Sequence, residues 1–207
     1  MDHVLQDFIT MWVVIDPIGT VPVFVVAAAG LSAAARRAMA IRATLIAAAI
    51  LLAFVIVGQV LIETLGISLP AFQIAGGLIL FIFAMTMTFG SSKPEEEMTA
   101  AKRTQDDPAV FPLAMPSLAS PGAIMAAVVL TDNNRQALVE QAVTTAAMLG
   151  VLAIALLFML LASPIVRLLG NGGTAILSRV MGLILAAVAV QNVLAGARDY
   201  FFTATSG

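Results

Sequence analysis

The sequence predicts an all-α integral membrane protein: six transmembrane helices, arranged as two inverted-topology three-helix repeats whose first and fourth helices are broken. Three observations lead there. Of 207 residues, 61% are hydrophobic and only 11% charged, with a mean hydropathy of +1.05, well outside the usual balance of a soluble domain. Runs apolar enough to cross about 30 Å of hydrocarbon, which takes roughly 20 residues each, recur six times, at 5–28, 40–62, 69–89, 109–130, 139–162 and 174–197. Two of these runs, the first and the fourth, carry near mid-span a helix-capping residue followed at once by proline.

The first span opens on MDHVLQDF, which is acidic rather than basic and leads to no small-residue cleavage site, so it is expected to remain as a helix. It holds Asp16, Pro17, Gly19, Thr20 and a second proline, Pro22. The second and third spans complete a repeat at 1–90. A hydrophilic segment at 91–108 follows; its mixed charges with Pro94 and Pro108 suit a solvated connector, with a helical turn or two around EEEMTAAKR. The second repeat, 109–207, begins with a span holding Pro112, Pro116, Ser120, Pro121 and Gly122, then runs through the fifth and sixth spans.

Six spans put the termini and the second and fourth loops on one face, which carries only Arg135 and Arg198. The other face carries Arg36, Arg37, Arg42, Lys93, Lys102, Arg103, Arg167 and Arg179, and the positive-inside rule makes it cytoplasmic. Both termini are therefore expected outside. Without cysteine there are no disulfides or thiolate metal sites, no metal is expected, and a net charge of −2 gives no nucleic-acid footprint.

The halves resemble one another. IAGGLILFIFAMTM in the third span aligns with RVMGLILAAVAVQN in the sixth through a shared GLIL, at Gly77–Leu80 and Gly182–Leu185, and SAAARRAMAIRA has a fainter partner in TDNNRQALVEQA. In nearly the same register Asp16 and Pro17 fall opposite Ser120 and Pro121. Three-span repeats enter the bilayer from opposite sides, which makes the topology inverted. Low-complexity apolar helices align easily, so the weight rests on the shared breaks.

Mid-span proline removes an amide donor and pushes the preceding residue out of the helical region. Unwound backbone at membrane depth is tolerated only against protein or a water-filled cavity. Asp16 and Ser120 are thus expected to cap half-helices that start near the midplane and aim free amides and positive dipole ends at the protein centre. The expected substrate-binding residues are Asp16, Pro17, Gly19, Thr20, Ser120, Pro121, Gly122 and Ala123. Amides from Ser120 to Ala123 would take a carboxylate, and Asp16 would face an ammonium or a coupling cation. Capping alone also explains an Asp before a Pro; against it stands a cost of roughly 2.5–3.5 kcal/mol for an acid at a helix centre, which a serine cap avoids.

Among the other polar residues, Gln73, Gln191 and Asn192 are expected to line a water path, and Arg179 either snorkels to the cytoplasmic surface or pairs with Asp16 or a gate carbonyl. Thr86, Thr88 and Ser178 suit helix-to-helix hydrogen bonds, and Gly76, Gly77 and Gly182 close helix approach. Glu63 and Glu140 fall at outer span ends, and His3 is terminal and solitary.

DPIGTVPVF, LSAAARRAMAIRA, GISLPAFQIAGGLILF, FPLAMPSLASPGAI and RVMGLILAAVAVQNVLAG together resemble the MarC family of bacterial inner-membrane proteins, including its small neutral amino acid transporter members, over nearly the whole chain. The resemblance implies six helices in two inverted triplets, periplasmic termini and kinship with the lysine exporter superfamily. It also implies ion-coupled transport of glycine, alanine and similar amino acids. Thr20 stands where the family commonly has asparagine, Ser120 where it has glycine and Gln73 where it has arginine.

The function expected is a secondary transporter with no cofactor beyond a coupling H+ or Na+, working by alternating access around the breaks. Its partners would be the amino acid and the lipid bilayer. An enzyme is not expected: no nucleotide motif or HExxH occurs, no span holds histidine, and only Asp16 is counted as a membrane acid. A scaffold or sensor, or a narrow channel, stays open as the alternative.

Overall fold

The computed structural model describes residues 2–89, 107–132 and 136–203. The proposed helical turns around EEEMTAAKR lie outside the described residues, as do Arg135 and the side chains of His3, Arg167 and Ser178. All regular structure among the described residues is helical. The elements are α1 (Asp2–Ile15), α2 (Pro17–Ala27), α3 (Ala33–Thr64), α4 (Leu69–Phe89), α5 (Ala109–Leu118), α6 (Pro121–Val129), α7 (Leu138–Leu160) and α8 (Ala162–Thr203).

Five stretches are long and apolar enough to cross a membrane, and the pair α5 and α6, bent by 54°, makes a sixth. The chain is a multi-pass integral membrane protein. The expected bounds fall short at two helices. At 32 residues α3 is about 48 Å long at 1.5 Å per residue, and α8 runs for 42 residues without a break. Both extend beyond their apolar cores: Ala33, Ala34 and Ala35 continue α3 outward to the Ser32 cap, and α8 begins at Ala162, with only Leu161 between it and α7, despite Pro164, Gly170, Gly172 and Gly173 in its first turns.

The first span is central: 61% of its most apolar window is buried, against 22% to 33% in the other four long spans. It lies alongside the bent pair, α1 packing on α6 and α2 on α5. Since the first half of one span meets the second half of the other, the two run antiparallel with their breaks side by side. Residues from both fill one apolar core, including Met11, Ile15, Val23, Leu113, Leu118 and Met125.

The closest helix pair is α4 with α8. A Cβ on Gly77 would lie 3.0 Å from the Ala189 carbonyl oxygen, one on Gly182 3.0 Å from that of Ala84, and one on Gly196 2.9 Å from that of Pro70. The register is antiparallel, since positions rising along α8 meet positions falling along α4. Small residues let the backbones touch, which is how helices bind where lipid leaves no hydrophobic drive. The pairs Gly77 with Ala189 and Gly182 with Ala84 are also reciprocal: the GLIL alignment equates Gly77 with Gly182 and Ala84 with Ala189.

Candidate functional site

Each break is built locally. Asp16 leaves the helix at φ 51°, ψ 65°, a left-handed conformation, and its Oδ1 accepts from the Gly19 amide at 3.0 Å. Pro17 then opens α2 with the fixed φ that suits a first helical position. A Cβ on Gly19 would lie 2.0 Å from Asp16 Oδ2, so any larger residue there would displace the capping carboxylate. The second break keeps Ser120 extended at φ −67°, ψ 158°, with its Oγ accepting from the Ala123 amide at 3.0 Å and Pro121 opening α6. On the other side of Ser120, α5 is irregular and π-like: Phe111 and Met115, the residues before its two internal prolines, are extended.

The breaks meet. Ser120 Oγ donates to the Val14 carbonyl at 2.9 Å, and the hydroxyls of Thr20 and Ser117 lie 3.1 Å apart. Thr20 Oγ1 also lies 3.1 Å from the Asp16 carbonyl. Asp16, Thr20, Ser117 and Ser120 are all buried, as are Pro17, Gly19, Gly122 and Ala123. A Cβ on Gly122 would lie 2.6 Å from Leu80, so α4 walls the cluster on one side.

Two expectations about this cluster need correcting. The amides from Ser120 to Ala123 are not all available to a carboxylate, because Ser120 takes that of Ala123 and Pro121 has none. The remaining amide in this first turn is that of Gly122, which helix geometry leaves without an intrahelical acceptor. Nor is a serine an equal cap at position 16. Left-handed backbone favours Asp and Asn over Ser, and this conformation was not visible as a residue type.

The expected path residues are not in the cluster. Gln73 Nε2 donates to Asn192 Oδ1 at 3.2 Å across α4 and α8, and Asn192 in turn donates to the Val188 carbonyl at 3.0 Å. Gln191 and Arg179 are exposed on α8, and the pairing of Arg179 with Asp16 is not formed. Thr86 and Thr88 bond carbonyls of their own helix, Phe83 and Ala84, instead of a neighbour.

Sequence reasoning missed three residues. Asp7 is a second acid within the first span; its Oδ2 accepts from the buried Thr144 hydroxyl on α7 at 2.6 Å, which corrects the count of membrane acids. Asp132, beyond α6, is buried with its Oδ1 3.2 Å from Gln59 Nε2, which also donates to Glu63 at 2.9 Å. Ser117 was legible as the second hydroxyl in an apolar run, one turn before Ser120. Among the described residues no group of His, Cys, Asp and Glu could hold a metal ion.

The MarC family integral membrane protein model matches residues 1–201. The chain is 35% identical over 191 residues to a UPF0056 membrane protein of Archaeoglobus fulgidus, covering 91% of this chain and 89% of that one. It is 34% identical over 201 residues to one of Methanocaldococcus jannaschii, covering 96% and 97%. To the UPF0056 inner membrane protein MarC of Escherichia coli O1:K1 it is 32% identical over 198 residues, covering 87% of each. No solved structure matches the chain. With a family model spanning almost every residue and relatives matched nearly end to end, the protein belongs to the MarC family of integral membrane proteins.

Proposed function

We propose that the protein is a secondary transporter of small neutral amino acids such as glycine and alanine, coupled to a proton or sodium gradient, and not an enzyme. The observation that carries this reading is the meeting of two broken spans in a buried polar cluster, where Ser120 Oγ reaches the Val14 carbonyl and Thr20 meets Ser117. Unwound backbone costs too much at membrane depth to persist without use or cover, and crossed half-helices suit a zwitterion. In this reading the Gly122 amide and the positive end of α6 hold the substrate carboxylate, and Asp16 faces its ammonium or the coupling cation.

The halves 1–90 and 109–207 act as inverted repeats joined by 91–108, in keeping with kinship to the lysine exporter superfamily. The reciprocal contacts of Gly77 and Gly182 support this, because a two-fold axis in the membrane plane would produce such an exchange. The Lys- and Arg-rich face is cytoplasmic and both termini are periplasmic, in a bacterial inner membrane as the name of the Escherichia coli relative indicates.

The test is uptake of labelled glycine and alanine into proteoliposomes under imposed proton or sodium gradients. Saturable uptake with counterflow is expected, and loss of both in Asp16→Asn. Uptake of neither amino acid under any gradient would overturn the reading, and uptake without saturation or counterflow would make the protein a channel.

A further inference from the structure

At the Lys- and Arg-rich face, a cleft of about 240 Å³ opens between the end of α2, the start of α3 and the junction of α7 with α8. Its polar side is Arg36, Arg37 and Ser163, and its apolar side is Phe24, Met159 and Leu160. Arg36 is half-buried, and its hydrogen bond to Ser163 Oγ, at 3.4 Å, is long. Arg37 has no ion pair or hydrogen bond among the described residues. The neighbouring Arg42 is different, since it pairs with Asp107.

Two guanidinium groups line the cleft with no carboxylate beside them among the described residues, and such forks match phosphate oxygens in bidentate geometry. The first turn of α3 adds its positive dipole end to the same place. The apolar wall does not end in the cleft: Leu160 is 43% exposed, and Leu157 and Leu161 continue it at 50% and 47% along the outer surface of a membrane-spanning helix. Charge at the span end with a greasy track leading from it is the pattern of a lipid, headgroup and chain together.

We propose that this cleft is a phosphate site filled by the phosphodiester headgroup of an anionic phospholipid, with an acyl chain lying along Leu160 and Leu157. The site is separate from the buried cluster of the two breaks and does not depend on the transport reading.

The full chain, purified in neutral detergent, is titrated with phosphatidylglycerol, with phosphatidylethanolamine of the same acyl chains, and with inorganic phosphate, and bound lipid is read by native mass spectrometry. Phosphatidylglycerol is expected to be retained over phosphatidylethanolamine. The double variant Arg36→Gln, Arg37→Gln should weaken that retention by about thirtyfold, from ~1 kcal/mol per basic residue near an anionic surface. Arg36→Lys with Arg37→Lys should restore only part of it, since lysine keeps the charge and loses the fork, and Arg42→Gln, which removes one charge from the same face, should change it little. Equal retention of the two lipids, or a double variant that binds like the wild type, overturns the proposal. Inorganic phosphate that binds in dependence on Arg36 and Arg37 while neither lipid is preferred overturns the lipid assignment in favour of a soluble anion.

Discussion

Asp16 combines a left-handed backbone, a cap on the Gly19 amide and a charge, and these three roles separate by substitution. Asparagine keeps the first two, since it caps helices and tolerates φ above zero, so Asp16→Asn removes the charge alone. It should leave the melting temperature nearly unchanged while slowing amino acid uptake about tenfold or more, equivalent to ~1.4 kcal/mol of barrier. Uptake that survives would reduce Asp16 to a cap. Alanine loses all three, at about 1 kcal/mol for the cap and 1–2 kcal/mol for left-handed backbone, and Asp16→Ala should lower the free energy of unfolding by that much, read from its denaturation curve. The proline and cap pairs were legible because they rest on residue type. The left-handed angle was not, because an Asp before a Pro reads the same whether its φ is −67° or 51°. The hydroxyl pair of Thr20 and Ser117 was hidden for another reason: only the crossing of two spans distant in sequence brings it together.

At the scale of the helix, the glycine contacts separate positions that look alike in sequence. Gly77 and Gly182 face carbonyl oxygens of the neighbouring helix, whereas a Cβ on Gly150 meets nothing within 4 Å. Gly77→Val or Gly182→Val should force α4 from α8 and cost about 1–3 kcal/mol. Gly150→Ala should be neutral or stabilise by about 0.5–1 kcal/mol through helix propensity; thermal unfolding in detergent checks both. The start of α5 depends on pH. The Ala109 amide is the main group holding the Asp107 carboxyl below its ordinary 3.8; burial opposes it in part, and the Arg42 guanidinium adds to the lowering. A carboxyl depressed in the folded state stabilises above its unfolded value, and that stabilisation is lost as pH falls through the folded one. Asp107→Asn should therefore unfold more easily than wild type at pH 6, with the difference closing as pH falls from 3.8 through the lower folded value. Helix type and number were readable from hydropathy, but the lengths of α3 and α8 were not, since apolar runs mark the part in lipid and say nothing of the turns beyond it.

For the whole molecule, alternation of six spans places residues close in space on the same face. Arg42 with Asp107 and Arg36 with Ser163 fall on one, and Gln59 with Asp132 and Gln73 with Asn192 on the other. Because the chain has no cysteine, single replacements report sidedness directly. Ala34→Cys should react with a membrane-impermeant thiol reagent only from the cytoplasm, and Ala137→Cys only from the periplasm; the reverse pattern would invert the assigned orientation. In the proposed transport cycle the seam between α4 and α8 would serve as the stator. Backbones meet closely at Gly77, Gly182 and Gly196, so if the chain transports as proposed, the motion that opens one mouth and then the other is expected to fall on the pair of broken spans. A short thiol tether between Gln73→Cys and Asn192→Cys should then leave transport running, while the same tether between Thr20→Cys and Ser117→Cys should seize it.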